Sequence, residues 1–375
     1  MKAMSGGETI ARMLAAEGVE KVFGIIDGTY FGFYSNLRKY GIDLITPRHE
    51  TSAVHMAGAY AKLTGKLGVC MASNGPGAAN ALPGVAVENG EGSRVLLITS
   101  SRRTGIAYPD RGGTYQYFDQ VAVMKPMTKW SGSAQAPARV PELMRRALRK
   151  CGQGRPGVVH LDVPENLMNA KDMAPEFLEP HEYRRVAEIV PPEDQVERAA
   201  DILVGCRRPL IHAGSGVIHA QAFAELEKVA EILRAPVTTS WAARGALPET
   251  SDLSVPMVYV DLYTEVRNEA DAVLVLGSRL GETDLWGKPP YWRKAAEQRT
   301  IQVDVDDDCL GCNKRTELAI LSDARAFLDR LYGRLVEKKA RIAAEERGAY
   351  LTSLKEKRLR KRRELDEALK DAASP

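Results

Sequence analysis

Along residues 1–170, short and nearly continuous apolar runs alternate with longer stretches whose apolar positions recur at helical spacing. The strand candidates are KVFGII (21–26), IDLITP (42–47), LGVCMAS (67–73), RVLLITS (94–100) and GVVHLDVP (157–164). Between them, Ser5 is placed to cap a helix carrying Ile10, Met13 and Leu14, FGFYSNLRKY (31–40) reads as a helix, and another starts near Glu50. NGPGAANALPGVAVENG (74–90) is a Gly-rich turn leading into a helix. Apolar strands without in/out alternation are covered on both faces, which implies a parallel sheet between helices. A Pro- and Glu-rich stretch at 175–193 interrupts the pattern. It then restarts with RRPLIHAGSGV (207–217), a helix at 221–234, APVTTSW (235–241), ADAVLVLGSRL (270–280) and RTIQVDVD (299–306). The expected class is α/β, with two doubly wound parallel-sheet domains at 1–180 and 190–335. A charged helical tail follows at 337–375, with a thin stripe of Leu351, Leu354, Leu365 and Leu369. Such a helix is either solvated or a docking arm for a partner.

Composition narrows the classes. With 44% hydrophobic and 27% charged residues, the 375-residue chain is globular in type. It has no apolar run of about 18 residues, so no transmembrane helix is expected. The segment MKAMSGGETIARMLAAEGVEK is broken by charges and has no signal-peptide core. Five scattered cysteines suit a reducing, cytoplasmic setting, and CLGC (309–312) without a second pair is a weak metal signal. Residues 337–375 hold 12 Lys/Arg and 8 Asp/Glu, a net +4 that leaves −1 for the rest. No broad basic field remains, so nucleic-acid binding is not expected.

Three stretches carry candidate chemistry. In RHETSAVHMAGAYAK (48–62), Glu50 heads a helix of small and apolar residues. A carboxylate turned toward a buried face needs a partner, although the helix dipole alone also favours an acid in the first turn. In SNGPGAAN (73–80), Gly75 and Gly77 permit close backbone approach and unusual dihedrals, Pro76 stiffens the turn, and Asn80 is placed to fix it. In GTYQYFDQ (113–120), the Tyr115 phenol and Gln116 amide can steer a carbonyl or a water. Each stretch alone also fits a helix cap, a strand–helix connection or a polar loop.

The order FGIIDG, RHE, SNGPGAAN, GTYQYFDQ, KPMTKW, GRPGVVHLDVP resembles the N-terminal half of thiamine diphosphate enzymes of the acetolactate synthase, oxalyl-CoA decarboxylase and 2-hydroxyacyl-CoA lyase group. The resemblance is close over the first 170 residues and looser to about 330. It implies that Glu50 hydrogen-bonds a ring nitrogen of the cofactor's aminopyrimidine. A low-polarity site would raise the Glu50 pKa, letting it share a proton and favour the imino tautomer that activates the thiazolium carbon. Ser73, Gly75, Pro76, Gly77 and Asn80 would form the cofactor wall. Gln116 matches the Gln of the synthases' FQE stretch, and Tyr115 the Tyr of the decarboxylase's GDYEELDQ. His49 is a further candidate beside Glu50, while Arg102, Arg103 and Lys125 are weaker candidates for phosphate or carboxylate. The family's FGIPG turn reads FGIIDG here. Ile26 and Asp27 replace Pro and Gly, so substrate identity does not carry over.

The second domain resembles the family's central domain, which binds FAD or an adenine nucleotide such as ADP or CoA, or has lost its ligand. Its candidates are Gly214, Ser215, Gly216, Arg244, Gly245, Arg279, Asp304 and Asp306; an empty structural domain is the equal alternative. The family's third domain binds Mg²⁺ and the cofactor's diphosphate through GDG and a downstream Asn, and no GDG occurs in the 375 residues. The resemblance therefore implies half an active site. A split enzyme, a piece of a longer chain and a degenerate homologue all fit. The split is preferred: a lyase or carboligase of 2-oxo acids or 2-hydroxyacyl-CoA and acyl-CoA compounds, with Mg²⁺ on a second subunit and a heterotetramer of two of each chain. The competing class is a non-catalytic regulatory or interaction subunit. A NAD-type dehydrogenase is disfavoured because no complete GxGxxG follows the first strand.

Overall fold

The computed structural model describes residues 3–106 and 112–372. It divides into two compact units, Met1–Ala187 and Glu188–Pro375. In the first, the helices are α1 (Gly6–Ala16), α2 (Phe31–Leu37), α3 (Glu50–Thr64), α4 (Pro76–Glu91), α5 (Gln120–Met124), α6 (Arg139–Gly152), α7 (Glu165–Asn169) and α8 (Pro180–Tyr183). The strands are β1 (Lys21–Gly24), β2 (Asp43–Ile45), β3 (Gly68–Ala72), β4 (Val95–Ser101), β5 (Trp130–Ser133) and β6 (Val158–Pro164). They form one sheet in the order β2-β1-β3-β4-β6-β5, parallel throughout, with Cys70 opposite both Phe23 and Leu97.

The continuous apolar strands are explained by two cores. Val69 and Met71 of β3 face one, with Ile10, Leu14 and Met144; Cys70 and Ala72 face the other, with Val54, Ala57 and Ala81. Local signals set the helix ends. The Ser5 hydroxyl accepts from the Glu8 amide at 3.0 Å, as expected of a cap. Helix α3 stops at Gly65 and α4 at Gly92, both in the left-handed region.

The second unit contains helices α9 (Glu193–Gly205), α10 (Ser215–His219), α11 (Phe223–Leu233), α12 (Val260–Glu269), α13 (Ala324–Glu337) and α14 (Ala344–Ala372). Its strands are β7 (Pro209–Ala213), β8 (Val237–Thr239), β9 (Ala272–Leu276), β10 (Arg299–Asp304) and β11 (Leu318–Leu321). The parallel sheet runs β11-β10-β9-β7-β8, and β9 again divides its side chains between two cores. Both units are thus doubly wound α/β, as the patterning implies. The first half of α14 is anchored. Arg347 is buried and donates to the carbonyls of Leu233, Leu203 and Cys206, and Leu354 lies in the core, whereas Leu369 is exposed.

The pattern reading leaves β5, β11, α6, α9, α12 and α13 unassigned. WSGS of β5 has one large apolar residue and, among the described residues, pairs with β6 alone, so an edge position makes it a strand without an apolar run. Helix α6 does bury Val140, Met144, Ala147, Leu148 and Cys151 at helical spacing.

Candidate cofactor and substrate site

The chain runs from β1 to β2 on one side and returns to β3 on the other. Loops at such a switch point open a crevice at the carboxyl ends of the strands. Three of the candidate stretches converge there.

Glu50 is the first residue of α3 and is half-buried, not enclosed as the sequence suggests. Its Oε2 accepts from Asn80 Nδ2 of α4 at 3.1 Å. A Cβ built on Gly77 would lie 3.4 Å from Glu50 Oε1 and 2.5 Å from Ser73 Oγ. Gly75 has φ +63° and ψ −114°, and a Cβ there would sit 2.4 Å from the Gln116 carbonyl oxygen. Gly75 is therefore required, Gly77 keeps the turn close to Ser73 and Glu50, and the turn packs against the 113–120 stretch. Pro76 occupies the first position of α4, where its missing N–H costs nothing.

The side chain of Gln120 locks this turn from behind. Its Oε1 accepts from the Gly75 amide at 3.4 Å; its Nε2 donates to the Ser100 carbonyl at 2.7 Å and to Asp162 Oδ1 at 2.5 Å. The Asp162 carboxylate also accepts from Thr99, Ser101 and Ser133 at 2.9, 2.8 and 2.7 Å. His160 lies between Thr99 and Ser131, and burial pushes its pKa down to about 4 against the pull of Asp162. Sequence reasoning missed Asp162, His160 and Ser100. The polar residues in ITSS and VVHLDVP, set inside otherwise apolar strands, were the available signal.

The remaining candidates fall into distinct places. The His49 ring caps α3, Nδ1 accepting from the Thr51 amide at 3.2 Å, so its position is explained without chemistry. Tyr115 is 72% exposed; Gln116 is exposed too and holds a left-handed φ of +56°. Ile26 is exposed. Asp27 Oδ1 accepts from the Thr29 amide at 2.9 Å and from its hydroxyl at 2.5 Å, and Thr29 meets Ser100 Oγ at 2.6 Å. Burial, reinforced by the charges of Asp27 and Glu50, pushes the Tyr30 pKa up, and its hydroxyl donates to the Ile25 carbonyl. Arg102 and Arg103 share Glu165, at 3.4 and 3.1 Å, and Lys125 is exposed.

In the second unit, the glycines of GSG have a packing explanation. A Cβ on Gly214 would lie 2.2 Å from the Gly277 carbonyl oxygen, and one on Gly216 would lie 2.6 Å from Gly277 Cα. The Gly216 amide donates to Gly277 at 3.1 Å. Two strand-end turns therefore occupy each other's space. Ser215 begins a helix of only five residues. Arg244 pairs with Glu249 at 2.9 Å, Gly245 has a φ of +90°, and Arg279 is exposed. Asp304 and Asp306 accept from the Asp306 and Asp308 amides at 3.1 and 3.2 Å, as turn caps. These residues lie on turns at the carboxyl ends of β7, β8, β9 and β10. No group of three or more metal-ligating side chains occurs among the described residues, and Cys309 and Cys312 stand apart in burial.

The aminopyrimidine of thiamine diphosphate fits the first site by the chemistry of its donors. Glu50 Oε1 faces Gly77, Asn80 steadies the other oxygen, and the buried Asn74 Nδ2 has no partner among the described residues. The fold and this strand-end constellation define a cofactor-binding α/β protein with a second, like-built domain. Comparison with known proteins agrees. Residues 4–123 match the thiamine pyrophosphate enzyme N-terminal TPP-binding domain, and residues 196–331 match the central domain of the same enzymes. The chain belongs to the thiamine pyrophosphate enzyme family and carries its N-terminal and central domains.

A probable acetolactate synthase large subunit of Methanocaldococcus jannaschii is 32% identical over 89% of this chain and 56% of its own length. A probable 2-ketoarginine decarboxylase of Pseudomonas aeruginosa is 32% identical over 93% of this chain and 63% of its own. The acetolactate synthase isozyme 3 large subunit of Escherichia coli is 27% identical over 92% and 60%. The chain thus spans 56–63% of the length of these relatives.

Proposed function

We infer that this chain supplies the pyrimidine-binding half of a thiamine diphosphate-dependent enzyme that forms or breaks a C–C bond beside a carbonyl. The single observation that carries this reading is Glu50, with one oxygen held by Asn80 and the other directed to the Gly77 turn. Thiamine diphosphate, when bound, supplies the electron sink for carbon adjacent to a carbonyl. Glu50 would hold a proton at Oε1 and share it with a ring nitrogen of the bound pyrimidine. Ser73, Gly75, Pro76 and Gly77 would form the wall against which the ring lies, and the Gln120–Asp162 network would keep that wall in place. Gln116 and Tyr115 would reach the substrate. Relatives named for acetolactate synthesis and 2-ketoarginine decarboxylation support a carboligase or decarboxylase acting on 2-oxo acids; acyl-CoA substrates are the second class.

The diphosphate and Mg²⁺ would be held by a separate subunit, in a heterotetramer. Two observations support a covering partner. Glu50 is only half-buried, and the exposed positions of α4 beside it, including Ala79, Asn80, Pro83, Ala86 and Val87, carry no charge. An uncharged helix face on a soluble surface is the pattern of an interface. Calorimetry with thiamine diphosphate and Mg²⁺ tests the reading, on this chain alone and mixed with a chain carrying the diphosphate-binding domain. Tight binding only in the mixture supports it. Absence of binding in both would leave a non-catalytic interaction subunit.

A further inference from the structure

A cavity of about 420 Å³ opens at the carboxyl ends of β4, β6 and β5, behind the Gly75 turn and separated from it by Gln120. Its floor is Asp162, 2% exposed, and its walls include Ser101, Arg102, Tyr117, Ser133 and Gln135.

The hydrogen-bond inventory decides the sign of a ligand. Both oxygens of Asp162 are occupied: Oδ1 accepts from Thr99 and Gln120, and Oδ2 from Ser101 and Ser133. Four donors offset its charge and leave it no lone pair aimed at a cation. Asp119, at the rim, is engaged in capping α5, accepting from the Ala122 amide at 2.9 Å. On the donor side the inventory is not closed. The Arg102 side chain keeps 22% of its exposure, and its Nη1 is paired with Glu165 Oε2 at 3.4 Å without a hydrogen bond, while Arg103 draws on the other oxygen at 3.1 Å. The buried Arg102 Nε has no acceptor among the described residues. A guanidinium has five donors in a planar fork suited to an oxyanion.

We propose that this cavity binds a small oxyanion, carboxylate or phosphate, on Arg102, with Gln135 on the opposite wall contacting the remainder of the molecule. The site stands on its own geometry and does not depend on the thiamine reading. It lies beside the cofactor wall, so an occupant would press on Gln120 and through it on the Gly75 turn.

The test is calorimetric titration of the full chain, without thiamine diphosphate, using oxalate, pyruvate and inorganic phosphate, with sodium chloride as the ionic-strength control. Amide hydrogen exchange is followed at 101–105 and 117–121. One saturable site is expected. Arg102→Gln weakens it by about tenfold or more, as loss of a charged hydrogen bond implies. Arg103→Gln, which removes an equal charge outside the cavity, leaves it intact. Gln135→Leu on the opposite wall also weakens it, which covers the case in which Arg102→Gln does not fold. Preference for oxalate and pyruvate over phosphate assigns a carboxylate occupant, and the reverse assigns a phosphate. The proposal is overturned if no anion saturates or protects these segments, or if Arg102→Gln and Arg103→Gln weaken binding equally. An overturned proposal leaves the thiamine reading untouched, because that is decided by the separate titration with its partner chain.

Discussion

Glu50 and Asn80 stand 30 residues apart on two different helices and share one hydrogen bond. Oε1 has no hydrogen-bond partner among the described residues, which is what acid–base work on a bound ring requires. Glu50→Gln keeps the shape and removes the exchangeable charge. On the reading proposed above, and assayed together with a chain that carries the diphosphate-binding domain, it should lower turnover by roughly 10²–10⁴-fold while the melting temperature stays within error. Near-normal turnover would remove Glu50 from the mechanism. Gly75 makes a different kind of demand. Its dihedrals and the 2.4 Å approach of Gln116 leave no space for a side chain. Gly75→Ala should cost about 1–3 kcal/mol in urea melts and weaken thiamine diphosphate binding together with stability. A stable variant that binds normally would show that the turn adapts.

The loop after β9 shows what one buried ion network does for an element. Leu280, Leu285 and Trp286 all have left-handed φ values, of +51°, +55° and +56°. Asp284, within this loop, contacts Arg267 and His212 at 3.2 Å each and accepts from Ser278 at 3.0 Å. Burial works to raise the Asp284 carboxyl, but His212, Arg267 and Ser278 outweigh it and hold the pKa at about 2. Arg267 itself stacks 4.2 Å from the Trp292 ring centroid. Removing one partner leaves a buried charge without compensation. Arg267→Leu should therefore destabilise the protein by about 3–5 kcal/mol in chemical denaturation. A double variant with Asp284→Asn should recover part of that loss; additive losses would show that the pair is not coupled.

At the scale of the molecule, two fully buried histidines set an acid limit. Burial lowers the pKa of His160 to about 4 from 6.5, and lowers that of His212 as well. Between those values the unfolded chain binds the proton and the folded protein does not. Stability is therefore full above about pH 6.5 and falls as pH drops toward 4, by up to about 3 kcal/mol from His160 alone. Urea midpoints at pH 7 and pH 5 measure this, and His160→Gln should flatten the dependence. A midpoint that rises on acidification would contradict it.

The doubly wound architecture of both units was determined by the sequence itself, because apolar strands alternating with amphipathic helices have few other ways to bury both sheet faces. Glu50 and the SNGPGAAN turn were also legible, since a carboxylate at a helix start and glycines at a strand end are local features. Tertiary structure alone decided what each feature touches. It made His49 a helix cap, packed the GSG turn against Gly277, left Glu50 half-buried, and joined Gln120 to Asp162 across 42 residues. Hydrogen-bond partners and the closeness of two backbones depend on how separate strands are placed side by side. Residue spacing along a chain carries no record of that placement.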